Sequence, residues 1–371
     1  MPVAVTGMAV LSGFGRGTAP LLRGVSIGAP AFRSVRRFAV GSGSRTDLGA
    51  VHHDARSLPE ELTSSVTEAC AMAGLTKAER AATPLFLAIQ ADREVARQSA
   101  VDFRVHGARA SAVEVAARCG LYPRRVYTNA CTAASTALAE AASMIASGST
   151  ECAVVASGYL VDAERFALFS AGGALSDDQH VRPFSSGRRG LLLGDAVGAV
   201  VLEKAGRAGG RAQAALMSWA LSGDAHHVCR PHPAGAGLAR AITSALDRAG
   251  LDPQAIDYVN AHGTGTTHND AAESAALHRA LGSHSAHVAV SSSKSVHGHA
   301  LEASGMLELI TTVLALQSGQ LPVNAGYLGA DEQCGLNLVL SQSQAASDIR
   351  YALSLNAAFG GANTALVVGR A

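Results

Sequence analysis

The sequence predicts a layered α/β fold, and three observations support this class. Patterns typical of buried strands alternate with helical patterns along the chain, as in proteins built from helices packed on sheets. Apolar residues are 48% of the chain, aromatic residues are only 4%, and 39 glycines accompany abundant alanine and valine, which favours tight helix-on-sheet packing. A glycine-rich linker at 205–211 precedes a second series of strands and helices. We therefore expect two halves, residues 1–208 and 209–371, without a residue-level repeat.

The first half is predicted from four apolar runs and three helical patterns. The predicted strands are 3–11, 84–89, 152–158 and 195–203. The predicted helices are 58–74, 92–119 and a segment that begins at Cys131 and ends at Gly148. The helix at Cys131 has small or apolar residues with a period near 3.6, and a β-type run precedes it. The local order is therefore strand, helix, strand.

The second half repeats this style. Its predicted strands are 213–221, 256–261, 288–291, 336–341 and 364–368. Its predicted helices are 237–250, 270–281 and 302–318. Strand and helix again alternate, which extends the layered α/β prediction to the whole chain.

The charge balance excludes several classes of protein. The chain has 30 Lys and Arg against 29 Asp and Glu, so no basic field indicates nucleic acid and no polybasic tract indicates a membrane surface. No positive charge precedes Arg16, and glycines interrupt the apolar stretches near the N-terminus. This pattern is typical of neither a signal peptide nor a spanning helix. We expect a cytoplasmic protein.

One of the six cysteines differs from the others. The cysteines are at positions 70, 119, 131, 152, 229 and 334, without a C-x-x-C spacing, so we expect neither a disulfide framework nor a structural zinc site. Cys131 lies in the predicted first turn of a helix, where unpaired backbone N–H groups and the helix dipole favour a thiolate. We interpret Cys131 as a nucleophile. From this stretch alone, the alternative is a small buried cysteine of the core.

Two other stretches carry polar groups that a core does not require. His262 ends a predicted strand inside a Gly/Thr turn, and α/β sheets bind ligands at the carboxyl ends of their strands; a histidine that caps a turn is the alternative. Lys294, His297 and His299 surround a glycine between a strand and a helix, which indicates a site. His297 and His299 could form a metal pair, but further ligands at suitable spacing are missing nearby, so no metal is expected.

Together with a Gly-rich turn that begins at Phe359, these stretches resemble the β-ketoacyl synthase family of thiolase-like condensing enzymes over nearly the whole chain. The segments that carry the resemblance, in family order, are Val5-Thr-Gly-Met-Ala-Val-Leu-Ser12, Thr128-Asn-Ala-Cys131, Arg182-Pro-Phe-Ser-Ser-Gly-Arg-Arg-Gly190 with Gly194-Asp-Ala, Asn260-Ala-His-Gly-Thr-Gly-Thr-Thr-His-Asn-Asp270 with Glu273, Lys294-Ser-x-x-Gly-His299 with Glu308, and Phe359-Gly-Gly-x-Asn363. The resemblance implies a five-layer αβαβα fold with two pseudo-symmetric, thiolase-like halves.

The resemblance also implies a chemistry. Cys131 would take an acyl group as a thioester. His262 and His299 would bind the thioester carbonyl of a malonyl-type extender and stabilise the enolate left by loss of CO2, which requires both rings to be neutral while they donate. Lys294 would pair with Glu308 and organise the histidines; a structural buried ion pair is the alternative. The implied activity is a decarboxylative Claisen condensation, an acyltransferase reaction of fatty-acid or polyketide biosynthesis.

The way substrates are held is implied in the same manner. The N–H groups of Cys131 and Phe359 would form an oxyanion hole, and the Phe359 ring would gate the acyl pocket. Thr264 and Thr266 would hydrogen-bond a phosphopantetheine arm, and Gly360 would border the same substrate site. No bound cofactor is implied, because an acyl carrier protein carries the substrates on its phosphopantetheine. The implied partners are this carrier protein and a second chain, in a homodimer or a heterodimer with a related ketosynthase-like chain.

Several positions depart from the family pattern. Ser185 stands where many members have Asp, Asp195 stands where Glu is usual, and His297 replaces a smaller residue. Residues 355–358 differ from the frequent Asn-Ser-Phe-Gly. The segment 88–107 is shorter than its family counterpart, which contributes to the dimer interface and the acyl-pocket floor. The preferred acyl chain length therefore does not carry over from the family.

Three other functions remain open at this point. A related acyltransferase, or a cyclising and chain-releasing enzyme, would keep the thioester but omit decarboxylation. A cysteine hydrolase fits the order of Cys131 and His262, but the Cys-Gly-x-Cys-aromatic signature is absent, and that class needs neither His299 nor Lys294. A non-catalytic partner subunit would only shape an acyl tunnel. The retained cysteine argues against it, because such partners commonly lack the nucleophile.

Overall fold

The structure of the protein is a computed structural model that describes residues 2–90, 107–341 and 348–371. The predicted helical pattern at 92–119 falls partly outside the described residues, as does most of the segment 88–107. Across the described ranges, no helix combines the length and the apolar character needed to cross a bilayer.

Strands and helices alternate in the first half. Its strands are β1 (Val3–Ser12), β2 (Gly15–Arg16), β3 (Arg33–Ser34), β4 (Leu48–Gly49), β5 (Pro84–Ala88), β6 (Tyr122–Tyr127), β7 (Cys152–Tyr159) and β8 (Ala196–Lys204). Its helices are α1 (Thr18–Ile27), α2 (Leu58–Met72), α3 (Lys77–Ala81), α4 (Ala108–Cys119), α5 (Ala133–Ala146), α6 (Ala163–Ala171) and α7 (Ala205–Ala208). A capping box of Ser57 and Glu60 starts α2, and a 3₁₀ turn over Ala130–Thr132 leads into α5.

The second half continues the alternation. Its strands are β9 (Ala214–Gly223), β10 (Tyr258–Asn260), β11 (Ala289–Ser291), β12 (Tyr351–Ala357) and β13 (Ala362–Arg370). Its helices are α8 (Ala236–Ala249), α9 (Thr267–Leu281), α10 (Lys294–His297) and α11 (Ser304–Ser318). Helix α8 ends at Gly250 in the left-handed conformation, which glycine adopts without a steric penalty.

The main strands form two runs with the same topology. One run has the order β6-β5-β7-β8-β1 and the other has the order β11-β10-β12-β13-β9. In each run the first three strands pair in parallel and the last two pairings are antiparallel. A short antiparallel pairing of β1 with β9 joins the runs. The chain therefore builds the same arrangement twice, as the predicted pseudo-symmetry requires.

Helices cover both runs and also fill the space between them. Helices α2 and α4 pack on the outer face of the first run, and α8 packs on the outer face of the second run with α9 beside it. Helices α5 and α11 contact strands of both runs and form the central core. The five layers are thus αβαβα, and α5 and α11 lie in the middle layer.

Most predicted elements are confirmed to within a few residues, but the strand at 336–341 is wrong. Leu338 forms an isolated bridge with Val290, in which the Val290 N–H donates to Asn337 O and the Val339 N–H donates to Val290 O, and no ladder continues from it in the described residues. Strand β12, which pairs with β10, was not predicted from the sequence. Buried Ser354 and Asn356 interrupt its apolar run.

The two runs separate at a short connection. β8 ends at Lys204 and β9 begins at Ala214, with α7 and a 3₁₀ turn between them. This connection contains the glycine-rich linker from which the boundary was placed. The division into units 1–208 and 209–371 stays a prediction.

Candidate active site

Equivalent segments of the two runs carry the candidate nucleophile and the second histidine motif. Cys131 lies after β6 and before α5, and His299 lies after β11 and before α11. β6 and β11 occupy the same outer position of their runs. Because α5 and α11 share the middle layer, the internal symmetry of the fold brings these two segments together.

A glycine allows the middle helices to approach closely. A Cβ atom on Gly305, near the start of α11, would lie 2.9 Å from Ser135 N and 2.8 Å from Asn356 Oδ1, so only glycine fits without a shift. At the helix ends, His299 Nε2 lies 3.1 Å from Cys131 Sγ. The structure therefore brings the predicted nucleophile into contact with one predicted catalytic histidine.

The backbone that presents Cys131 is strained. Ala130 has φ 52°, and the left-handed region costs a non-glycine residue about 1–2 kcal/mol. Cys131 follows in the 3₁₀ turn that precedes α5. In this first turn no earlier helical carbonyl can accept the Cys131 N–H. The N–H is therefore available to an oxyanion.

Burial controls the ionisation of the Cys131 thiol. The residue is 6% exposed. Burial, followed by the nearby Glu302 carboxyl, raises the pKa of Cys131 to about 12, and the Lys294 charge opposes this only partly. Desolvation of a buried anion therefore opposes the thiolate that the helix dipole and the N–H groups of the first turn favour. Cys131 rests as a thiol.

We expect the alkylation rate of Cys131 to rise about tenfold per pH unit from about pH 6 to about pH 9 without levelling off. Only the thiolate reacts, and below a pKa of about 12 each unit of pH multiplies its fraction by ten. Iodoacetamide labelling followed by mass spectrometry of the Cys131 peptide measures this rate. A Cys229→Ser background removes the exposed thiol. A plateau below about pH 8 would indicate a low-pKa thiolate and contradict this account.

A buried carboxyl shapes the turn that carries His262. The two oxygens of Glu273 accept the N–H groups of His262 and Gly263, each at 2.7 Å. The His262 ring then lies edge-to-face with the His299 ring, with 5.4 Å between the ring centroids and an angle of 83°. Both predicted histidines therefore face the same space as Cys131.

Lys294 lies behind the histidines and holds the backbone and the ring of His262. Its ammonium group forms an ion pair with Glu308 and donates to His262 O at 2.6 Å. Lys294 Nζ also lies 3.3 Å from His262 Nδ1. Asn356 Nδ2 donates to the other oxygen of Glu308. Lys294 thus meets its predicted partner at a position where it can orient His262.

The contact with Lys294 determines which nitrogen of His262 carries the proton. An ammonium group has donors only, so Nδ1 of His262 accepts and the proton of the neutral ring lies on Nε2. Burial and the Lys294 charge hold the pKa of His262 well below its ordinary value. The same two causes hold the pKa of His299 well below its ordinary value. Both rings are therefore neutral near neutral pH.

We expect Lys294→Met to lower the free energy of unfolding by about 3–5 kcal/mol, because it leaves the carboxylate of Glu308 buried without its cation. Urea unfolding followed by circular dichroism measures the change. In the double variant Lys294→Met/Glu308→Gln most of the loss should be recovered, since no buried charge remains. The matched surface control is Lys204→Met, whose pair with Glu151 is exposed and should contribute less than about 1 kcal/mol. A double variant as unstable as the single one would contradict this reasoning.

The predicted nucleophile and both predicted catalytic histidines border one cavity of about 600 Å³. Its walls include Cys131, His262, His299, Thr264, Thr266, Phe169, Leu191, Phe359 and Asn363. Thr264 Oγ1 and Thr266 Oγ1 lie 2.8 Å apart, and both residues border the cavity. Lys294 and Glu308 are not among the wall residues, so they act on the cavity only through their neighbours.

Phe359 lies at the exposed side of the cavity, on the turn between β12 and β13. Its ring is 56% exposed and stacks on Phe169 with 6.2 Å between the ring centroids. Within the described residues no protein atom accepts the backbone N–H of Phe359. This N–H therefore remains available to donate to an oxyanion. The N–H of Gly360 differs, because it donates to Val228 O at 2.7 Å. The structure does not bring Gly360 to the cavity wall.

Two residues of the site were not predicted from the sequence. Ser304 Oγ lies 2.9 Å from His299 Nδ1, and Asn356 binds Glu308. Each is a buried polar residue in a largely apolar element, Ser304 at the start of α11 and Asn356 in β12. A polar residue within an apolar pattern is the signal that could have identified them.

Asp195 and Ser185, two residues that depart from the family pattern, have hydrogen-bond partners. The buried carboxylate of Asp195 forms a bidentate pair with Arg37, at 3.0 Å and 2.7 Å. The hydroxyl of Ser185 accepts the Leu328 N–H at 2.9 Å. Neither side chain borders the cavity, so both departures concern the scaffold around the site.

His297 does not join His299 in a metal pair. Its Nε2 lies 2.8 Å from Ser293 Oγ and its Nδ1 lies 2.8 Å from Gly298 O, so both ring nitrogens already have partners. Burial lowers the pKa of His297 to about 3. In the part of the chain that the structure describes, no group of three or more His, Cys, Asp or Glu is arranged to hold a metal ion.

Two family models match consecutive parts of the chain. The model described as beta-ketoacyl synthase, N-terminal domain, matches residues 53–208. The model described as beta-ketoacyl synthase, C-terminal domain, matches residues 213–327. Together these ranges include more than two thirds of the chain, and they contain Cys131 in the first range and both predicted catalytic histidines in the second.

Individual proteins show the same similarity. The 3-oxoacyl-[acyl-carrier-protein] synthase 2 of Synechocystis sp. is 35% identical over an alignment of 260 residues, and the match covers 66% of this chain and 61% of that relative. The chain therefore matches less than two thirds of the relative's length. The solved structure of the ishigamide ketosynthase/chain length factor is 28% identical with a TM-score of 0.89, and the match covers 100% of this chain and 99% of that chain.

A further solved structure supports the fold assignment. A beta-ketoacyl synthase from Burkholderia phymatum is 28% identical with a TM-score of 0.86, over 100% of this chain and 99% of that chain. The predicted fold class, a thiolase-like αβαβα protein with two pseudo-symmetric halves, is thereby confirmed.

Proposed function

The chain belongs to the β-ketoacyl synthase family, and from this premise we propose that it is a condensing acyltransferase. It would extend an acyl thioester with a malonyl-type unit by decarboxylative Claisen condensation. The observation that carries the proposal is the meeting of Cys131, His262 and His299 at one cavity. A hydrolase needs one histidine base, whereas a second neutral histidine beside the first suits the stabilisation of a developing oxygen anion.

The first half-reaction loads the enzyme. The sulfur of Cys131 attacks the carbonyl carbon of the incoming acyl thioester, and the N–H groups of Cys131 and Phe359 stabilise the resulting oxyanion. The bond from the carbonyl carbon to the carrier sulfur then breaks. The proton of the Cys131 thiol ends on the departing carrier sulfur, so the exchange of one thioester for another is balanced. The raised pKa of Cys131 is compatible with this step because the proton leaves together with the acyl transfer.

The second half-reaction forms the carbon–carbon bond. The bond between the malonyl α-carbon and its carboxylate breaks, CO2 leaves, and the electron pair forms an enolate whose oxygen accepts hydrogen bonds from His262 and His299. The enolate carbon attacks the thioester carbonyl on Cys131. The new carbon–carbon bond forms, the bond to Cys131 Sγ breaks, and the thiolate regains a proton from solvent. Lys294, held by Glu308, keeps His262 in its donor form.

The substrates and partners belong to the same proposal. The phosphopantetheine arm of an acyl carrier protein would enter past Phe359 and bond to Thr264 and Thr266, and no other cofactor is required. The name of the relative from Synechocystis sp. includes an acyl carrier protein, which supports this choice of carrier. A dimer, either with itself or with a related chain, a cytoplasmic location, and a role in fatty-acid or polyketide biosynthesis complete the proposal.

Loading of Cys131 tests the proposal. Incubation of the purified chain with a series of acyl-pantetheine thioesters should give one acyl group per chain, and mass spectrometry should locate it on the Cys131 peptide. The adduct should persist in water and disappear when malonyl-pantetheine is added. The absence of any adduct would favour the non-catalytic partner subunit. Rapid loss of the adduct to water would favour a hydrolase.

A further inference from the structure

His299 has a defined partner at each ring nitrogen. Nε2 lies 3.1 Å from Cys131 Sγ, and Nδ1 lies 2.9 Å from Ser304 Oγ. A neutral imidazole carries one proton, so one nitrogen donates and the other accepts. The chemistry that His299 can perform depends on which nitrogen holds that proton.

The surroundings of Ser304 decide between the two forms. The Ser304 side chain is fully buried at the start of α11, and among the described residues its hydroxyl has one hydrogen-bond partner, His299 Nδ1. If Nδ1 carried the proton, the buried Ser304 O–H would have no acceptor, and a buried donor without an acceptor is strongly disfavoured. On the other side, Cys131 is only a weak donor, so leaving its S–H without an acceptor costs less. The donor balance therefore favours a hydroxyl that donates to Nδ1.

We propose that Ser304 is a positioning residue that holds the proton of His299 on Nε2, so that His299 acts as a hydrogen-bond donor and not as the base for Cys131. The Ser304 O–H donates to Nδ1, and Nε2–H points to the sulfur in the resting protein. Burial and the Lys294 charge keep the His299 ring neutral. The hydrogen bond from Ser304 then determines which nitrogen of the neutral ring carries the proton.

The two histidines then acquire the same tautomer by different means. His262 receives a hydrogen bond at Nδ1 from Lys294 at 3.3 Å, and His299 receives one at Nδ1 from Ser304 at 2.9 Å. Each ring consequently offers an Nε2–H to the cavity. Two donors that converge on one oxygen are what an enolate requires, so in this respect the inference rests on the proposed function.

The tautomer itself can be measured without any substrate. Protein with ¹⁵N-labelled histidine, observed by two-bond ¹H–¹⁵N correlation, distinguishes a protonated nitrogen from a bare one, and a His299→Asn variant identifies the signals of His299. We expect the proton on Nε2 in the unaltered protein. In Ser304→Ala this preference should be lost, and in Ser304→Thr it should be kept because the hydroxyl remains. A ring protonated at Nδ1 in the unaltered protein would overturn the proposal.

Kinetics separate a tautomer effect from a loss of structure. Ser304→Ala should lower kcat for decarboxylation of malonyl-pantetheine about 10- to 100-fold with KM nearly unchanged, since a wrong tautomer removes a donor without removing substrate contacts. The rate of Cys131 acylation should change less than about twofold, because His299 is not its base. Ser304→Thr should restore most of kcat. The control is Ser218→Ala, which removes another buried serine hydroxyl far from the cavity, where it donates to Ala245 O.

The outcomes also distinguish this inference from the proposed function. Slower acylation with unchanged decarboxylation in Ser304→Ala would identify His299 as the base and overturn the inference. If the unaltered protein releases no CO2, the proposed function fails, and the ¹⁵N measurement still decides the tautomer. Equal thermal unfolding temperatures of Ser304→Ala and Ser218→Ala would assign the kinetic change to the tautomer, whereas a much lower temperature for Ser304→Ala would assign the change to structure and overturn the inference.

Discussion

Replacing Cys131 with alanine is expected to abolish acyl loading and to lower condensation on the order of 10⁴-fold or more, since removal of a nucleophile from a catalytic set has effects of this size. Among the described residues, the four buried thiols of Cys70, Cys119, Cys152 and Cys334 lie away from this cavity and cannot replace Cys131. Intact-mass spectrometry measures loading, and product formation from acyl- and malonyl-pantetheine measures condensation.

Cys229 provides the control for this prediction. Cys229 is exposed and also borders the cavity. In the described residues its sulfur lies 3.6 Å from Nδ1 of the exposed His227, which is not one of the predicted catalytic histidines. Cys229→Ser should therefore keep loading and condensation within about twofold. Loading that survives in Cys131→Ala but disappears in Cys229→Ser would transfer the role of nucleophile to Cys229 and contradict the account.

The His299→Ala variant is expected to release CO2 from malonyl-pantetheine about 10²–10³-fold more slowly, because one of two donors to the enolate oxygen is lost. Acylation of Cys131 should be much less affected, since the thiol proton passes to the leaving sulfur and not to His299. The measurements are CO2 release and the single-turnover rate of acyl loading. His287→Ala, at an exposed histidine, is the matched control and should leave both rates unchanged.

One result of this variant would favour a different enzyme. If His299→Ala abolishes decarboxylation but product formation continues, the product does not depend on an enolate. The chain would then be an acyltransferase or a cyclising, chain-releasing relative that uses the Cys131 thioester. The contact of 3.1 Å between His299 Nε2 and Cys131 Sγ would in that case serve acyl transfer only.

The elements that carry the site could be predicted from the sequence for a physical reason. Cys131, His262 and His299 each follow a strand and precede a helix, and a chain that passes from strand to helix in a layered α/β protein exposes polar groups at that junction. Short motifs with fixed spacing mark these junctions. The resemblance to a known family then indicated that these junctions, which lie far apart in the chain, form one site.

The properties that depend on burial could not be predicted in the same way. The first turn before α5 suggested a thiolate at Cys131, but the pKa of about 12 comes from the desolvation produced by the surrounding layers. The tautomers depend on Lys294 and Ser304, which reach the rings only in the folded chain. Desolvation and hydrogen-bond partners are properties of the tertiary structure, so a linear pattern does not contain them.

The errors in the predicted strands have a similar origin. The run at 336–341 is apolar enough to predict a strand, whereas β12 contains Ser354 and Asn356 and therefore lacks a continuous apolar pattern. In the structure Asn356 faces the buried Glu308. Asn356, which interrupts the apolar pattern of β12, is thus also the residue that binds Glu308 at the site. Local pattern and function are in conflict at this position, as is common at functional sites.

The central claim is that an acyl group on Cys131 is consumed by a carbon nucleophile formed through loss of CO2. The most direct test is to load Cys131 with an isotopically labelled acyl group, add malonyl-pantetheine, and measure acyl-enzyme, CO2 and product in the same sample. The account predicts that each acyl group lost from Cys131 is accompanied by one CO2 and one β-ketoacyl product that contains the label. Loss of the acyl group to product without CO2, or CO2 release that leaves the acyl group on Cys131, would contradict it.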